Sequence, residues 1–208
     1  MKDLFKGCWT IPNLLSVIRI ILIPVFAVLF MKEEYGWAVF TLVLSGLSDF
    51  FDGKIARKFN QISALGKMLD PVADKLTQIT LAILLFLSFS NAQDETLRAF
   101  SWVFLVFIAK EAVMVIGGAI MLSMGIRPGA AEIYGKVATF AFYAVMIFII
   151  AFGPEIGVFK SVFEIPNTLM MILVVISAIL TLVAFASYLP GIKQQFGEYF
   201  AAKKAAKK

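Results

Sequence analysis

Apolar residues run along this chain in blocks of about 20, the length a helix needs to cross a hydrocarbon core. Six such blocks lie at 11–31, 36–56, 69–90, 98–124, 132–153 and 166–189, and charged residues concentrate in the short breaks between them. The pattern predicts an all-α integral membrane bundle of six transmembrane helices. Three charged residues, Lys2, Asp3 and Lys6, precede the first block, and an amphipathic Trp9-Thr10-Ile11-Pro12-Asn13 leads into it. No small-residue cleavage site follows a short apolar core there, so the block reads as a retained span rather than a signal peptide. No Ser/Gly linker and no internal repeat is visible, which argues against a transporter built from inverted halves. The expected organisation is a short cytoplasmic N-terminus over 1–10, a six-span domain over 11–192 and a basic cytoplasmic tail over 193–208.

Composition supports the membrane reading. Of 208 residues, 61% are hydrophobic and 16% charged, and the mean hydropathy is +0.90. A soluble domain has roughly 45–50% apolar and roughly 25% charged residues. The absence of His excludes His-based general bases and His metal ligands, and the single Cys8 excludes an intramolecular disulfide and a Cys-cluster zinc site.

Charge sets the orientation. Lys2, Lys6, Lys54, Arg57, Lys58, Lys67, Lys75, Arg127, Lys136, Lys193, Lys203, Lys204, Lys207 and Lys208 fall on one side of the membrane, against Lys32, Arg98 and Lys160 on the other. The positive-inside rule then places both termini and the 54–75 region in the cytoplasm of a cell in whose inner or plasma membrane the chain sits. The lysine-rich tail suits an anionic leaflet, and no nucleic-acid partner is expected. Arg19 and Lys110 remain inside spans, where a charge calls for a partner or a cavity.

The informative stretch is Asp49-x2-Asp52-Gly53-x2-Ala56-Arg57-x8-Gly66-x3-Asp70-x3-Asp74. Acids three and four apart share a helix face. The first pair is expected at the cytoplasmic end of span two and the second at the start of span three, with Pro71 in that helix's first turn. A short loop then gathers the carboxylates at the inner surface. Such a group is either partly protonated or held by cations. Oxygen-only ligands favour hard ions, Mg²⁺ or Mn²⁺, and carboxylates bridging two of them grip a diphosphate. Arg57 adds a planar phosphate donor, and Gly53, Ala56 and Gly66 leave room for a ligand to approach the backbone.

This spacing resembles the signature of the CDP-alcohol phosphatidyltransferases, with every signature position filled. Ile11-Pro12-Asn13-Leu14-Leu15-Ser16 with Arg19 is similar to the family's first span, and Gly135-Lys136-Val137-Ala138-Thr139 to its fifth. The resemblance implies a six-span protein, a homodimer, with a cytoplasm-facing active site. It implies transfer of a phosphatidyl group from CDP-diacylglycerol to an alcohol, small and polar or itself a lipid, with release of CMP. Carried over position by position, Asp49, Asp52, Asp70 and Asp74 would ligate two divalent cations. Asp74 would also be the general base, and Gly53, Ala56, Arg57 and Gly66 would line the nucleotide pocket.

The acceptor expected first is glycerol 3-phosphate, the phosphatidylglycerophosphate synthase reaction; the alternative is phosphatidylglycerol, the cardiolipin synthase reaction. Phosphatidylglycerophosphate synthases carry a second Arg in span four and a second Lys in span five, where this chain has Gly118 and Ala138. Asp52-Gly53-Lys54 and Ser63-Ala64-Leu65-Gly66 resemble the cardiolipin synthase branch. Lys110, Lys136 and Arg19 are the candidates for binding acceptor or phosphate. The rival class, a cation or proton transporter, would need acids across the bilayer, whereas these crowd one face beside Arg57 and several lysines.

Overall fold

The computed structural model describes residues 10–58, 66–126 and 133–205, without the side chains at 12, 49–58, 66–68, 202, 203 and 205. All regular structure among them is helical: α1 (Ile11–Met31), α2 (Tyr35–Lys58), α3 (Gly66–Ser90), α4 (Glu95–Phe100), α5 (Phe104–Ser123), α6 (Ile133–Phe152) and α7 (Asn167–Ala205), with one 3₁₀ turn (Ser101–Val103) joining α4 to α5.

Local chemistry accounts for several boundaries. Thr10 caps α1 by accepting from the Asn13 amide at 3.3 Å, and a proline follows in the first turn. At the other end of α1 the chain reverses through Glu33 at φ 62° before α2 begins. Asp94 caps α4, accepting from the amides of Thr96 (2.7 Å) and Leu97 (3.3 Å). It also accepts from Asn167 Nδ2 at 2.8 Å, which ties α4 to the start of α7.

Two expectations need correction. α3 begins at Gly66, so Pro71 lies beyond the first turn and deprives the helix of one internal hydrogen bond. Span six does not stop at 189: α7 continues through Pro190 to Ala205, into the basic segment. A proline presets a helical φ, and the residues after it are good helix formers, so the helix extends once the lost bond is tolerated.

Five helical segments are long and apolar enough to cross a membrane: Asn13–Met31, Leu69–Ser90, Glu95–Ser123, Ile133–Phe152 and Asn167–Ala201. In α2 the apolar stretch among the described residues is Tyr35–Ser48, and the acids and bases of the signature follow it in sequence.

α1 packs on α2 and α3, α3 on α5, and α6 on α7, with α2 reaching α6 and α5 reaching α7. α3 lies at the centre. Leu81, Leu85 and Phe89 are fully buried there among Phe26, Phe30, Phe104, Phe107 and Phe142. Phe89 stacks on Phe104 with centroids 5.7 Å apart, and Phe107 meets Phe142 at 5.0 Å. Large apolar side chains also cover the outside, among them Ile21, Val28, Ile116, Phe140 and Ile179, while Asn13, Ser16, Arg19, Gln78, Glu111 and Thr181 are buried. Polar inside and apolar outside is the arrangement a lipid solvent selects.

Candidate active site

Arg19, Ser16 and Asn13 recur every three residues along α1, and all three are buried. That stripe belongs to a helix packed against α3. Ser16 Oγ donates to Asp70 Oδ1 at 2.5 Å, which joins the first span to the second acid pair. Asp70 and Asp74 stand one turn apart on α3, as their spacing requires.

Asp74 is held from two sides. Gln78 Nε2, one turn further along α3, donates to Oδ2 at 2.9 Å. The Tyr143 hydroxyl, from α6, donates to Oδ1 at 3.0 Å. Neither partner was a sequence-derived candidate. The i,i+4 relation of Gln78 to Asp74 was available in the sequence, but the contact with Tyr143 spans 69 positions and depends on how α6 meets α3.

Beside this pair lies a buried ionic cluster. Glu111, only 2% exposed, pairs with Lys75 at 2.9 Å and with its neighbour Lys110. Lys75 in turn stands 4.0 Å from Asp74. Lys110, marked in the sequence as an intramembrane cation, therefore has a partner, and so does the glutamate that follows it. Lys75, Lys110, Gln78, Thr139, Thr181 and Tyr188 line a small cavity, open to the outside, between α3, α5, α6 and α7. Gly135 makes room for the Tyr188 side chain: a Cβ there would lie 2.4 Å from the hydroxyl. Lys136 is exposed on the first turn of α6 and does not line this cavity.

Asp49, Asp52, Gly53, Ala56 and Arg57 belong to the last turns of α2, and Gly66 opens α3. The side chains of these positions lie outside the described residues, so the nucleotide-pocket expectation and half of the acid set lie there too. Among the described residues no three acids converge on one point. The chemistry of the donor set nevertheless fits a hard divalent ion. Asp70 and Asp74 bring oxygen ligands to one face of α3, and the two remaining acids of the signature end the neighbouring helix in sequence.

Comparison with known proteins bears on these observations. The family model for CDP-alcohol phosphatidyltransferase matches residues 9–184. A cardiolipin synthase (CMP-forming) of Streptomyces coelicolor is 39% identical over 137 residues, covering 63% of this chain and 60% of that protein. A CDP-diacylglycerol–glycerol-3-phosphate 3-phosphatidyltransferase of Aquifex aeolicus is 31% identical over 191 residues, 90% of this chain and 99% of that protein. The human cardiolipin synthase (CMP-forming) is 49% identical over 75 residues, 36% of this chain and 25% of that protein. The aligned region thus spans about 60% of the length of the Streptomyces and mycobacterial relatives. With most of its length matched by one model, the chain belongs to the CDP-alcohol phosphatidyltransferase family, whose members move a phosphate-linked group from a CDP-linked lipid to a second alcohol within a membrane and generally depend on a divalent metal.

Proposed function

We propose that this chain transfers the phosphatidyl group of CDP-diacylglycerol to a hydroxyl of a glycerol-bearing acceptor and releases CMP, with glycerol 3-phosphate as the first acceptor. The observation that carries the reading is Asp74, a carboxylate with a donor on each oxygen beside a cavity that holds Lys75 and Lys110. Asp74 takes the proton of the acceptor hydroxyl. The freed oxygen bonds to the phosphorus that carries the diacylglycerol, and the bond from that phosphorus to the CMP oxygen breaks. A positioned carboxylate suffices as base for such a step, and the rest of the catalysis is positioning and charge neutralisation. No covalent nucleophile is required.

Asp49, Asp52, Asp70 and Asp74 would hold two divalent cations, Mg²⁺ or Mn²⁺. When bound, these neutralise charge on the diphosphate. Arg57 would add a bidentate donor to a phosphate, with Gly53, Ala56 and Gly66 lining the nucleotide. Ser16 fixes the Asp70 carboxylate from α1. Arg19 on the same stripe would face the donor's phosphates, and Lys136 would serve at the cavity's entrance.

The charge asymmetry of fourteen basic residues against three supports six spans, with both ends of the chain and the site on the cytoplasmic face of the cell membrane. The homodimer rests on family analogy.

A second acceptor, phosphatidylglycerol, is favoured by a separate observation. Lys75 and Lys110 share one buried glutamate, and Asp74 lies 4.0 Å from Lys75, so the two ammonium groups are already largely compensated within the protein. That matches a singly charged phosphodiester better than a dianionic monoester. The cardiolipin synthase names among the relatives point the same way. The deciding experiment measures CMP release from CDP-diacylglycerol by the purified protein with Mg²⁺, offering glycerol 3-phosphate, phosphatidylglycerol, inositol phosphate or serine. Release with glycerol 3-phosphate supports the first reading, release with phosphatidylglycerol alone the second. No release with any acceptor overturns both.

A further inference from the structure

We infer that Tyr143, together with Gln78, is a positioning residue that fixes the Asp74 carboxylate for proton transfer. The inference rests on the reading of Asp74 as the proton acceptor. An aspartate on a helix face keeps a broad terminal torsion. On its own helix Gln78 reaches one oxygen, and a single bond to one oxygen does not fix the orientation of the group. Here each oxygen has its own donor: Tyr143 on Oδ1 at 3.0 Å and Gln78 on Oδ2 at 2.9 Å. The two come from different helices, so rotation of the carboxylate breaks at least one bond.

The donors are themselves supported. Gln78 is 3% exposed and lines the cavity as well. The Tyr143 ring packs edge-on against Phe142, centroids 5.6 Å apart, and Phe142 is buried. A carboxylate oxygen has two lone pairs. A donor on each oxygen from a different helix therefore orients the group. Positioning of this kind carries weight because an error of about 1 Å at a reacting group can cost about 10²-fold in rate.

The alternative is that Asp74 merely gives a half-buried phenol somewhere to donate. The two differ in kinetics. Tyr143→Phe removes one oxygen atom. We expect its kcat for CMP release to fall about tenfold, with KM for CDP-diacylglycerol and for the acceptor within about twofold of wild type and an unchanged melting temperature. Gln78→Met should behave alike at saturating acceptor, and the double variant should lose about 10²-fold.

Wild-type kcat in Tyr143→Phe while Asp74→Asn is inactive would overturn the positioning role alone. Wild-type kcat in Asp74→Asn would overturn the underlying assignment of the base. Loss confined to KM would make Tyr143 a structural support of the cavity and likewise overturn the inference. Should Tyr143→Phe fail to fold, Gln78→Met decides, since it acts from α3 itself and leaves the contact between α3 and α6 in place.

Discussion

The two halves of α3 solve different problems with one helix. From Leu81 to Phe89 the buried positions are apolar, and Leu81, Ala82, Leu85 and Phe89 are wholly enclosed by neighbouring helices. From Asp70 to Gln78 the same helix presents Asp70, Asp74, Lys75, Thr77 and Gln78. The last two are buried, and the first three are partly open. Close packing rigidifies the first region. The second is held by directional bonds: Ser16 to Asp70, Tyr143 and Gln78 to Asp74, and Lys75 to Glu111. In lipid, burial of apolar surface contributes little to helix association, so close packing and polar pairs supply most of the specificity. The packed half thereby anchors a polar half whose groups would otherwise repel or wander.

This contrast predicts that substitutions separate cleanly by effect. The largest changes in activity should come from the acids. Asp70→Asn should abolish transfer, and Asp74→Asn should slow the chemical step by about 10²–10⁴-fold, the usual worth of a positioned base. Both should melt near the wild-type temperature. Measured CDP-diacylglycerol binding should survive in Asp74→Asn. Its loss together with turnover would make Asp74 chiefly a ligand and erase the functional half of the comparison.

Glu111 tests the border between the halves. It is buried and bridges Lys75 and Lys110. Glu111→Gln leaves two half-buried ammonium groups with Asp74, 4.0 Å from Lys75, as the remaining counter-charge, and breaking a buried pair from one side costs up to about 3–5 kcal/mol. A large drop in melting temperature is expected, recovered in good part by adding Lys110→Met. An unchanged melting temperature would mean that the lysines are compensated from elsewhere in the cavity.

Leu85→Ala probes the packed half alone. A fully buried leucine truncated to alanine typically costs about 2–5 kcal/mol. Stability in detergent should fall accordingly, while kcat of the folded fraction stays at the wild-type value. A kcat that falls with stability would show that the two halves of α3 are mechanically coupled.

Much of this arrangement is legible in the sequence, and the exceptions share a cause. The apolar blocks anticipated α1, α3 and α6 to within a few residues, because the length and hydropathy of a span are local properties. The break at Ser101–Val103 and the run of α7 past Pro190 were not anticipated. Neither interrupts the apolar pattern, and a proline in a helix reads as an end even where the helix absorbs it. At the site, the Asp70 and Asp74 spacing put both acids on one face of α3. Tyr143 is not marked by the sequence, and Ser16 stands there only within the first-span string, because a period within one helix says nothing about which residue of another helix arrives there. Lys110 stood out as a mid-span charge, yet its second neighbour through Glu111, Lys75, lies a whole helix away in sequence.

The smallest expected effect lies on the opposite membrane face from the acids, where a carboxylate has a purely structural task. Backbone amides of Thr96 and Leu97 hold the Asp94 carboxyl below its ordinary range, with Asn167 adding a side-chain donor. A lowered folded-state pKa means the stabilisation is fully present above the unfolded value, near about 3.9, and is lost as pH falls through the folded value. Asp94→Ala removes the cap of α4 and its tie to α7, and should lower the melting temperature by roughly 2–4 °C at neutral pH. The gap between variant and wild type should begin to narrow as pH falls below the unfolded value, about 3.9, and close only below the lowered folded-state value, where wild-type Asp94 is itself protonated. Activity should not change at any pH at which both proteins are folded. A gap that stays constant down to the lowest pH would show that Asp94 acts by packing rather than by its charge.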